Sequence, residues 1–275
     1  MLPTRALFGN EIGVVGNVRQ RHQQRRSAAR PLRYRYPDCS LGDQLERDAY
    51  GVVPDLVSRD ALRAVQDALW LCDDPDASVA MGGRISNSVR YVFDPVERVP
   101  ALREFLTPFA ADVVRAWFQS EFWIRSVRLW RIRSVPVDEQ GHHHYGNLWH
   151  MDGHGGRVLK MFVQLSDVTA KGAALRLLPQ TATRRAMRSG FLAPERVLGP
   201  AQRVIDQGTV CFDAPPGAAL FADPDRCLHR AGVPHHGEVR DMVQFWFEAA
   251  ATAPAGGDYF AAMPHDPNVG EGRIA

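Results

Sequence analysis

The stretch TVCFDAPPGAALFADPDRCLHRA, residues 209–231, contains three short apolar runs separated by two turn motifs. The runs cover 209–213, 218–222 and 226–231, and the motifs are Pro215-Pro216-Gly217 and Asp223-Pro224-Asp225. Proline fixes φ and glycine tolerates positive φ, so both motifs favour tight turns over helix. The stretch therefore predicts consecutive short β-strands.

The same pattern continues on both sides of this stretch. Runs rich in β-branched and aromatic residues predict further strands at 123–137, 158–168, 173–178 and 239–249. Before them, apolar residues at helical spacing predict helices at 59–72 and 102–117, with Ser58 as N-cap and an interruption at Pro108. Helices followed by a run of strands favour a β-sandwich or barrel that carries a helical layer over a βαβ fold.

Size and charge limit the class of protein. A chain of 275 residues with 45% hydrophobic residues can bury one full core. The formal net charge of +2 gives no global field for nucleic acid or an anionic membrane. No apolar run reaches the roughly 18 residues needed to span a bilayer, and residues 1–16 lack a secretory pattern. We expect a cytoplasmic monomer or homodimer that acts on a small molecule.

Domain boundaries follow from composition. Residues 12–37 carry seven arginines and no acid, which predicts that 1–40 form a basic arm that is flexible or loosely packed. A dedicated contact of this arm with an acidic partner or an anionic substrate is the alternative. We expect a single domain at 41–275, with a helical layer over about 41–120 and a β core over about 121–250. The four cysteines lack CxxC spacing and predict reduced thiols.

A metal-binding pattern lies in NLWHMDG, residues 147–153. His150 and Asp152 are two residues apart, and in extended backbone this spacing puts both side chains on one face. Two imidazoles and one carboxylate leave three adjacent positions of an octahedral ion open, which suits Fe(II) that must bind an oxoacid and O2. The third ligand should be a downstream histidine, and His229 follows an apolar strand pattern. The His-x-Asp pattern by itself is weak evidence for a metal site, because a chain with ten histidines often contains it by chance.

The order of the motifs resembles the phytanoyl-CoA dioxygenase-type 2-oxoglutarate oxygenases. The matching segments are WHMD at 149–152, LSDVT at 165–169, GAALRLLP at 172–179, HRAG at 229–232, and Arg240. DAYGVVPDLVS at 48–58 also resembles the opening of that family, so the likeness covers about 45–250. It implies a double-stranded β-helix, a jelly-roll, cupin-like fold in which His229 and Arg240 face a common interior.

The resemblance also implies the roles of the site residues. His150, Asp152 and His229 would be the catalytic Fe(II) ligands, with 2-oxoglutarate and O2 as co-substrates. Arg240 would bind the distal carboxylate of 2-oxoglutarate through a bidentate, charge-assisted contact.

Three further positions of the family pattern concern the co-substrate. Phe162 aligns with a position that touches it, and Arg131 lies on the strand expected to line the opposite wall. Ala231 replaces a serine that in many relatives also binds the distal carboxylate.

The implied reaction is hydroxylation of an unactivated C–H bond of a small molecule in specialised metabolism, with release of succinate and CO2. Desaturation, cyclisation and epimerisation stay open, whereas Asp152 disfavours halogenation because halogenating relatives have a small residue there. An anionic substrate or a thioester fits the pattern, with pocket walls predicted at 84–91, at His142–His144 and after Pro179. Arg84, Arg90 and Arg157 are candidate contacts for an anion, or simply surface arginines.

Alternatives remain for each part of this hypothesis. The two histidines and Asp152 could be hydrogen-bonded residues of a sandwich interior, and Arg240 could belong to a structural ion pair. The cluster His142–His144 fits a solvated loop as well as a lid. Two other classes are a catalytically silent metal-binding β-sandwich, and a cupin-type metal enzyme that does not use 2-oxoglutarate and has no need of Arg240.

Overall fold

The computed structural model describes residues 33–80, 88–134, 146–154, 157–168, 174–261 and 263. Its α-helices are α1 (Cys39–Asp48), α2 (Arg59–Asp67), α3 (Pro95–Arg98), α4 (Pro108–Phe118), α5 (Gln180–Arg188) and α6 (Gly199–Gly208). 3-10 helices cover Leu69–Cys72, Pro100–Phe105 and Ala255–Gly257. The strands are β1 (Tyr50–Val53), β2 (Ser78–Ala80), β3 (Val89–Val92), β4 (Glu121–Arg133), β5 (Val158–Gln164), β6 (Leu175–Leu178), β7 (Phe191–Ala193), β8 (Arg196–Val197), β9 (Val210–Phe212), β10 (Ala219–Ala222), β11 (Leu228–Arg230) and β12 (Val239–Ala250).

The strands form a large and a small antiparallel sheet, besides the β7–β8 hairpin. The large sheet has the order β1-β10-β5-β12-β4-β3-β2, and the small sheet has the order β11-β6-β9. Successive strands from β9 to β12 alternate between the two sheets, so the chain crosses over at each turn and forms no simple hairpins there. This arrangement is the double-stranded β-helix, which confirms the predicted fold class.

The interior between the sheets is apolar. Both sheets contribute to one core cluster, with Trp130, Phe162 and Leu220 from the large sheet and Leu177 and Phe212 from the small sheet. Burial of each such side chain contributes about 1.5–3 kcal/mol. This core holds the sheets at a fixed distance, on which the geometry of any site between them depends.

The helical layer covers the outer face of the large sheet. Side chains alternate along β12, so Val243 and Phe245 point outward and pack in a cluster with Val65 of α2 and with Val114 and Trp117 of α4. Arg240, Met242 and Gln244 have the opposite parity and point to the interior. Because side chains alternate, β12 contributes to the helical core with one face and to the interior with the other.

Several elements differ from the sequence-based prediction. The predicted helix 59–72 divides into α2 and a 3-10 turn, and the predicted helix 102–117 restarts at Pro108, as expected. Strands β2 and β3 lie between the two predicted helices, where no strand was predicted, and the predicted strand 226–231 is three residues long. Helices α5 and α6 were not predicted. Their amphipathic faces pack on Trp149, Leu178 and Leu228 beside the small sheet.

The first described helix begins with a side-chain cap. Asp38 caps α1 by accepting hydrogen bonds from the amides of Ser40 and Leu41, so regular structure includes residues before the predicted boundary at 41. Residues 1–32 of the predicted arm lie outside the described residues. No described helix is long and apolar enough to cross a bilayer. The cysteines form no disulfides.

Candidate metal centre

Three potential metal ligands converge at the edge of the small sheet. The His150 segment pairs with β11 through an antiparallel bridge in which the amides of His150 and His229 each donate to the other residue's carbonyl, at 3.0 Å. The amide of Asp152 donates to the carbonyl of Pro224 at 3.2 Å, which continues the extended segment. Potential ligand atoms of His150, Asp152 and His229 all lie within 4.8 Å of one another.

The orientation of the imidazoles suits metal binding. Nδ1 of His150 lies 2.8 Å from the carbonyl oxygen of Leu148, and Nδ1 of His229 lies 3.1 Å from that of Cys227. A carbonyl can only accept a hydrogen bond, so each Nδ1 carries the proton and each Nε2 presents its lone pair. Both Nε2 atoms lie 3.4 Å from Oδ1 of Asp152. Ligands at about 2.1 Å from one octahedral ion are separated by about 3 Å, so a modest contraction would let the three atoms share an ion.

The second oxygen of Asp152 is held by other groups. Oδ2 accepts a hydrogen bond from Nζ of the buried Lys160 at 2.5 Å and lies 3.3 Å from Nε2 of His154. Lys160 and His154 both pack against the ring of Trp246. Oδ1 faces the two imidazoles, while Oδ2 is directed away from them. The carboxylate is therefore set to bind an ion through one oxygen.

The protonation states also fit a metal site. Burial acts to raise the pKa of Asp152, but the neighbouring His229, His150 and His154, which carry positive charge when they are protonated, lower it overall. Burial lowers the pKa of His229, against the attraction of Asp152. An ionised carboxylate and a neutral imidazole are the forms that bind a metal ion.

A cavity of about 650 Å³ opens beside the three ligands, between the sheets. Arg240 and Phe162 line it from β12 and β5 of the large sheet. Arg240 is fully buried, at 0% exposure, and Phe162 is 5% exposed. The structure thus brings the predicted ligands, Arg240 and Phe162 to one cavity.

The prediction that Arg131 lines this cavity is wrong. Side chains alternate along β4, so Arg128 and Trp130 point into the cavity whereas Arg131 points to the outer face. There, its Nε donates to Asp241 at 2.7 Å and its Nη1 donates to Asp73 at 2.6 Å. Arg131 is therefore a structural residue that links β4 and β12 to Asp73, which follows the 3-10 helix Leu69–Cys72.

Other candidate residues lie elsewhere. Arg90 and Arg157 do not line the cavity. Arg90 donates to the carbonyl of Cys72 and to Ser78, and Arg157 pairs with Glu46. Arg84 and His142–His144 lie outside the described residues. The sequence following Pro179 forms α5, and Met187 at its end lines the cavity.

Lys160 and Arg128 are among the cavity residues that sequence reasoning missed. The signal for Lys160 was available, because it is two residues before Phe162 on the same strand face. Arg128 could have been found by applying the period-two rule to β4 from Trp130, which packs in the interior core.

Comparisons with known proteins show the fold. No protein-family model matches the sequence, and no curated protein is similar to it. Among solved structures, the chain resembles the epimerase SnoN from nogalamycin biosynthesis in complex with Fe3+, alpha ketoglutarate and nogalamycin RO, with a TM-score of 0.57, 17% identity, and coverage of 83% of this chain and 91% of that one.

Two further structures give similar values. EctD from S. alaskensis with 2-oxoglutarate and 5-hydroxyectoine has a TM-score of 0.56 and 21% identity, covering 78% of this chain and 77% of that one. HygX from Streptomyces hygroscopicus with nickel and 2-oxoglutarate has a TM-score of 0.54 and 12% identity, covering 78% and 87%. At these identities the likeness establishes that the chain shares the double-stranded β-helix of these proteins.

Proposed function

We propose that this protein is an Fe(II)/2-oxoglutarate-dependent oxygenase that hydroxylates an unactivated C–H bond of a small molecule in specialised metabolism. The observation that carries the proposal is the presence of two histidine Nε2 atoms, one carboxylate oxygen and the buried Arg240 in the same cavity. Two histidines and a carboxylate with open positions are the ligand set typical of non-haem Fe(II) oxygenases. That several proteins of the same fold were crystallised with iron or nickel and 2-oxoglutarate supports the proposal.

Each residue has a role in this proposal. His150, Asp152 and His229 would hold Fe(II), and Arg240 would bind the distal carboxylate of 2-oxoglutarate with Phe162 beside it. Iron, 2-oxoglutarate and O2 together would supply the oxidative chemistry, with succinate and CO2 as products. The protein would orient the co-substrate and exclude water from the interior. Asp152 occupies the position that a halogenase leaves open, so halogenation is not proposed.

Hydroxylation is the default reaction, and proteins of the same fold are described with other outcomes. SnoN is described as an epimerase, and a further structure of the same fold, SnoK, is described as a carbocyclase. These outcomes would depend on how the substrate lies in the cavity rather than on the metal ligands. The ligand set therefore supports the reaction class more strongly than any single product.

The test combines anaerobic spectroscopy with turnover. Fe(II) and 2-oxoglutarate added to the wild-type protein without O2 should produce the weak visible charge-transfer band of a chelated 2-oxo acid, and O2 should then yield succinate. His150→Ala should abolish both signals, whereas the control His235→Ala should retain them, because His235 is exposed and outside the cavity. A wild-type protein that gives neither band nor succinate would refute the proposal and favour a silent metal-binding module.

A further inference from the structure

Iron and 2-oxoglutarate would contact only part of the cavity wall. Its volume of about 650 Å³ lies in the range of about 300–1,000 Å³ that holds drug-sized ligands. The remaining wall has two parts. One comes from β3, β4 and β12 of the large sheet, and the other comes from the end of α5 and the β7 turn, residues 187–194.

The large-sheet part presents a group of N–H donors. Arg128 and Trp130 are two residues apart on one face of β4, and Gln244 of β12 lies opposite Arg128 in register. Trp130 is 8% exposed and Gln244 is 3% exposed. Among the described residues, Trp130 Nε1 and Gln244 Nε2 have no hydrogen-bond partner. Buried N–H groups normally have an acceptor, so these two nitrogens indicate a ligand oxygen.

The positive charge of Arg128 lies beside an aromatic pair in the same wall. Tyr91 and Trp130 are cross-strand neighbours whose rings stack with a centroid distance of 5.3 Å and an interplanar angle of 15°. The guanidinium of Arg128 lies 5.6 Å from the centroid of Tyr91. This cation–π contact with Tyr91 holds the guanidinium at the cavity wall. The donor group therefore favours an acceptor that is negatively charged.

The opposite part of the wall is apolar. Met187, Phe191, Leu192 and Pro194 have no charged or hydrogen-bonding side-chain group. Leu192 is 51% exposed, which places it where the cavity meets solvent. Methionine adapts its shape to irregular apolar ligands, so this wall suits a hydrocarbon body more than a polar one.

On the basis of the proposed function, we infer that the substrate is a lipophilic carboxylic acid. Its carboxylate binds Arg128, Trp130 and Gln244, and its apolar body lies against residues 187–194. The substrate is then a free acid and not a thioester, because an acyl group carried as a thioester has lost the carboxylate that the donor group recognises. The metal ligands and Arg240 are not part of this subsite.

The test compares acids with neutral analogues that have the same shape. The probes are a panel of arylalkanoic acids and medium-chain fatty acids, each paired with its primary amide. Binding is measured by calorimetry on protein loaded with Ni(II) and 2-oxoglutarate, since nickel prevents turnover. We expect some acids to bind at least about tenfold more tightly than their amides, because a hydrogen bond to a charged group is the stronger kind.

Three variants locate the effect. Arg128→Met should reduce the preference for the acid to within about twofold while the affinity for 2-oxoglutarate stays unchanged. Arg125→Met is the matched control, because it removes the same charge from the same strand outside the cavity, and it should keep the preference. Leu192→Asn adds polarity to the apolar wall without adding charge, so it should weaken acid and amide alike.

Several outcomes overturn the inference. These are equal binding of acids and amides, binding by no member of the panel, or an Arg128→Met variant that weakens 2-oxoglutarate instead. Failure of the proposed function is recognised separately. If 2-oxoglutarate does not bind to the nickel-loaded protein, the oxygenase assignment fails, and the acid preference at Arg128 is then read from the protein loaded with nickel alone.

Discussion

Under the proposed function, Arg240 is the residue that would distinguish an oxygenase using 2-oxoglutarate from other metal enzymes of the same fold. Arg240→Gln removes a buried guanidinium that would form charge-assisted hydrogen bonds with the distal carboxylate. We expect the dissociation constant of 2-oxoglutarate to rise about 100-fold, with the metal affinity preserved. Calorimetry on the nickel-loaded protein measures both quantities. Ala231 supplies no hydroxyl to the same carboxylate, so little compensation is expected.

The control for Arg240 is Arg125→Gln, which lies outside the cavity and should leave the affinity for 2-oxoglutarate unchanged. Circular dichroism reports whether Arg240→Gln keeps the fold. A folded variant that binds 2-oxoglutarate as tightly as the wild-type protein would contradict the assignment, and would support a metal enzyme that does not use this co-substrate.

Lys160 orients the carboxylate of Asp152. Its ammonium holds Oδ2 at 2.5 Å, which leaves Oδ1 for the ion. Lys160→Met removes this donor, so we expect Fe(II) affinity to fall about 10–100-fold, the usual effect of losing a partner of a metal ligand. Lys160→Gln retains an N–H donor and should recover part of the affinity. Equal metal affinity in wild type and Lys160→Met, measured by anaerobic titration, would show that His154 alone is sufficient.

The interior faces of the strands explain why some site residues could be predicted and others could not. His150 and Asp152 share a face in any extended segment, so their proximity follows from spacing alone. Arg128 and Arg131 are three residues apart on β4 and therefore lie on opposite faces of the strand. The sequence of β4 alone does not show which face is interior, and we placed Arg131 on the wrong one. The cavity position of Lys160 follows from its spacing to Phe162, but its ion pair with Asp152 does not, because that pairing is set by the tertiary fold.

At the scale of elements, α4 depends on a single cap. The Oγ1 of Thr107 accepts a hydrogen bond from the amide of Ala110 at 3.1 Å, and Pro108 follows at the first helical position. Thr107→Ala should lower the free energy of unfolding by about 1 kcal/mol, the typical value of an N-cap. Thr181→Ala is the control, because Thr181 is exposed within α5. Denaturant unfolding measures the difference, and equal midpoints for both variants would argue against the cap.

Elements with strong local signals were predicted, and those held by tertiary contacts were not. The turn motifs around Gly217 and Pro224 fixed β9, β10 and β11 to within a few residues. In contrast, β2 and β3 are short strands at the sheet edge, where β3 pairs with β4 and β2 pairs with β3, so their strand character comes from the partner strand rather than from their own sequence. Helix α5 begins directly after Pro179, at the end of the segment that resembles the family.

At the scale of the whole molecule, Asp223 joins the two sheets. It follows β10, its amide donates to the carbonyl of Ala49 at 2.8 Å, and its carboxylate accepts from the amide of Asp225 at 3.0 Å before the chain crosses to β11. Burial raises its pKa from 3.8 to about 7, and the repulsion of Asp225 adds to this. The charges of Arg226 and Arg157 and the hydrogen bond from the amide of Asp225 act in the opposite direction.

This shift predicts how stability changes with pH. Because the raised pKa belongs to the folded state, the folded protein holds the proton more tightly than the unfolded chain between about pH 4 and 7. The stabilisation is complete below this window and is lost as the pH rises through it. One pKa unit corresponds to about 1.4 kcal/mol, so the loss is up to roughly 4 kcal/mol.

Asp223→Asn isolates this contribution, since asparagine keeps an acceptor for the amide of Asp225 and does not ionise. The free energy of unfolding of this variant, from urea titrations at several pH values, should depend less on pH between about 4 and 7 than that of the wild-type protein. The exposed Asp43 provides the control Asp43→Asn, which should follow the wild-type profile. Parallel profiles for Asp223→Asn and the wild type would mean that Arg226 keeps Asp223 ionised in the folded protein throughout this range.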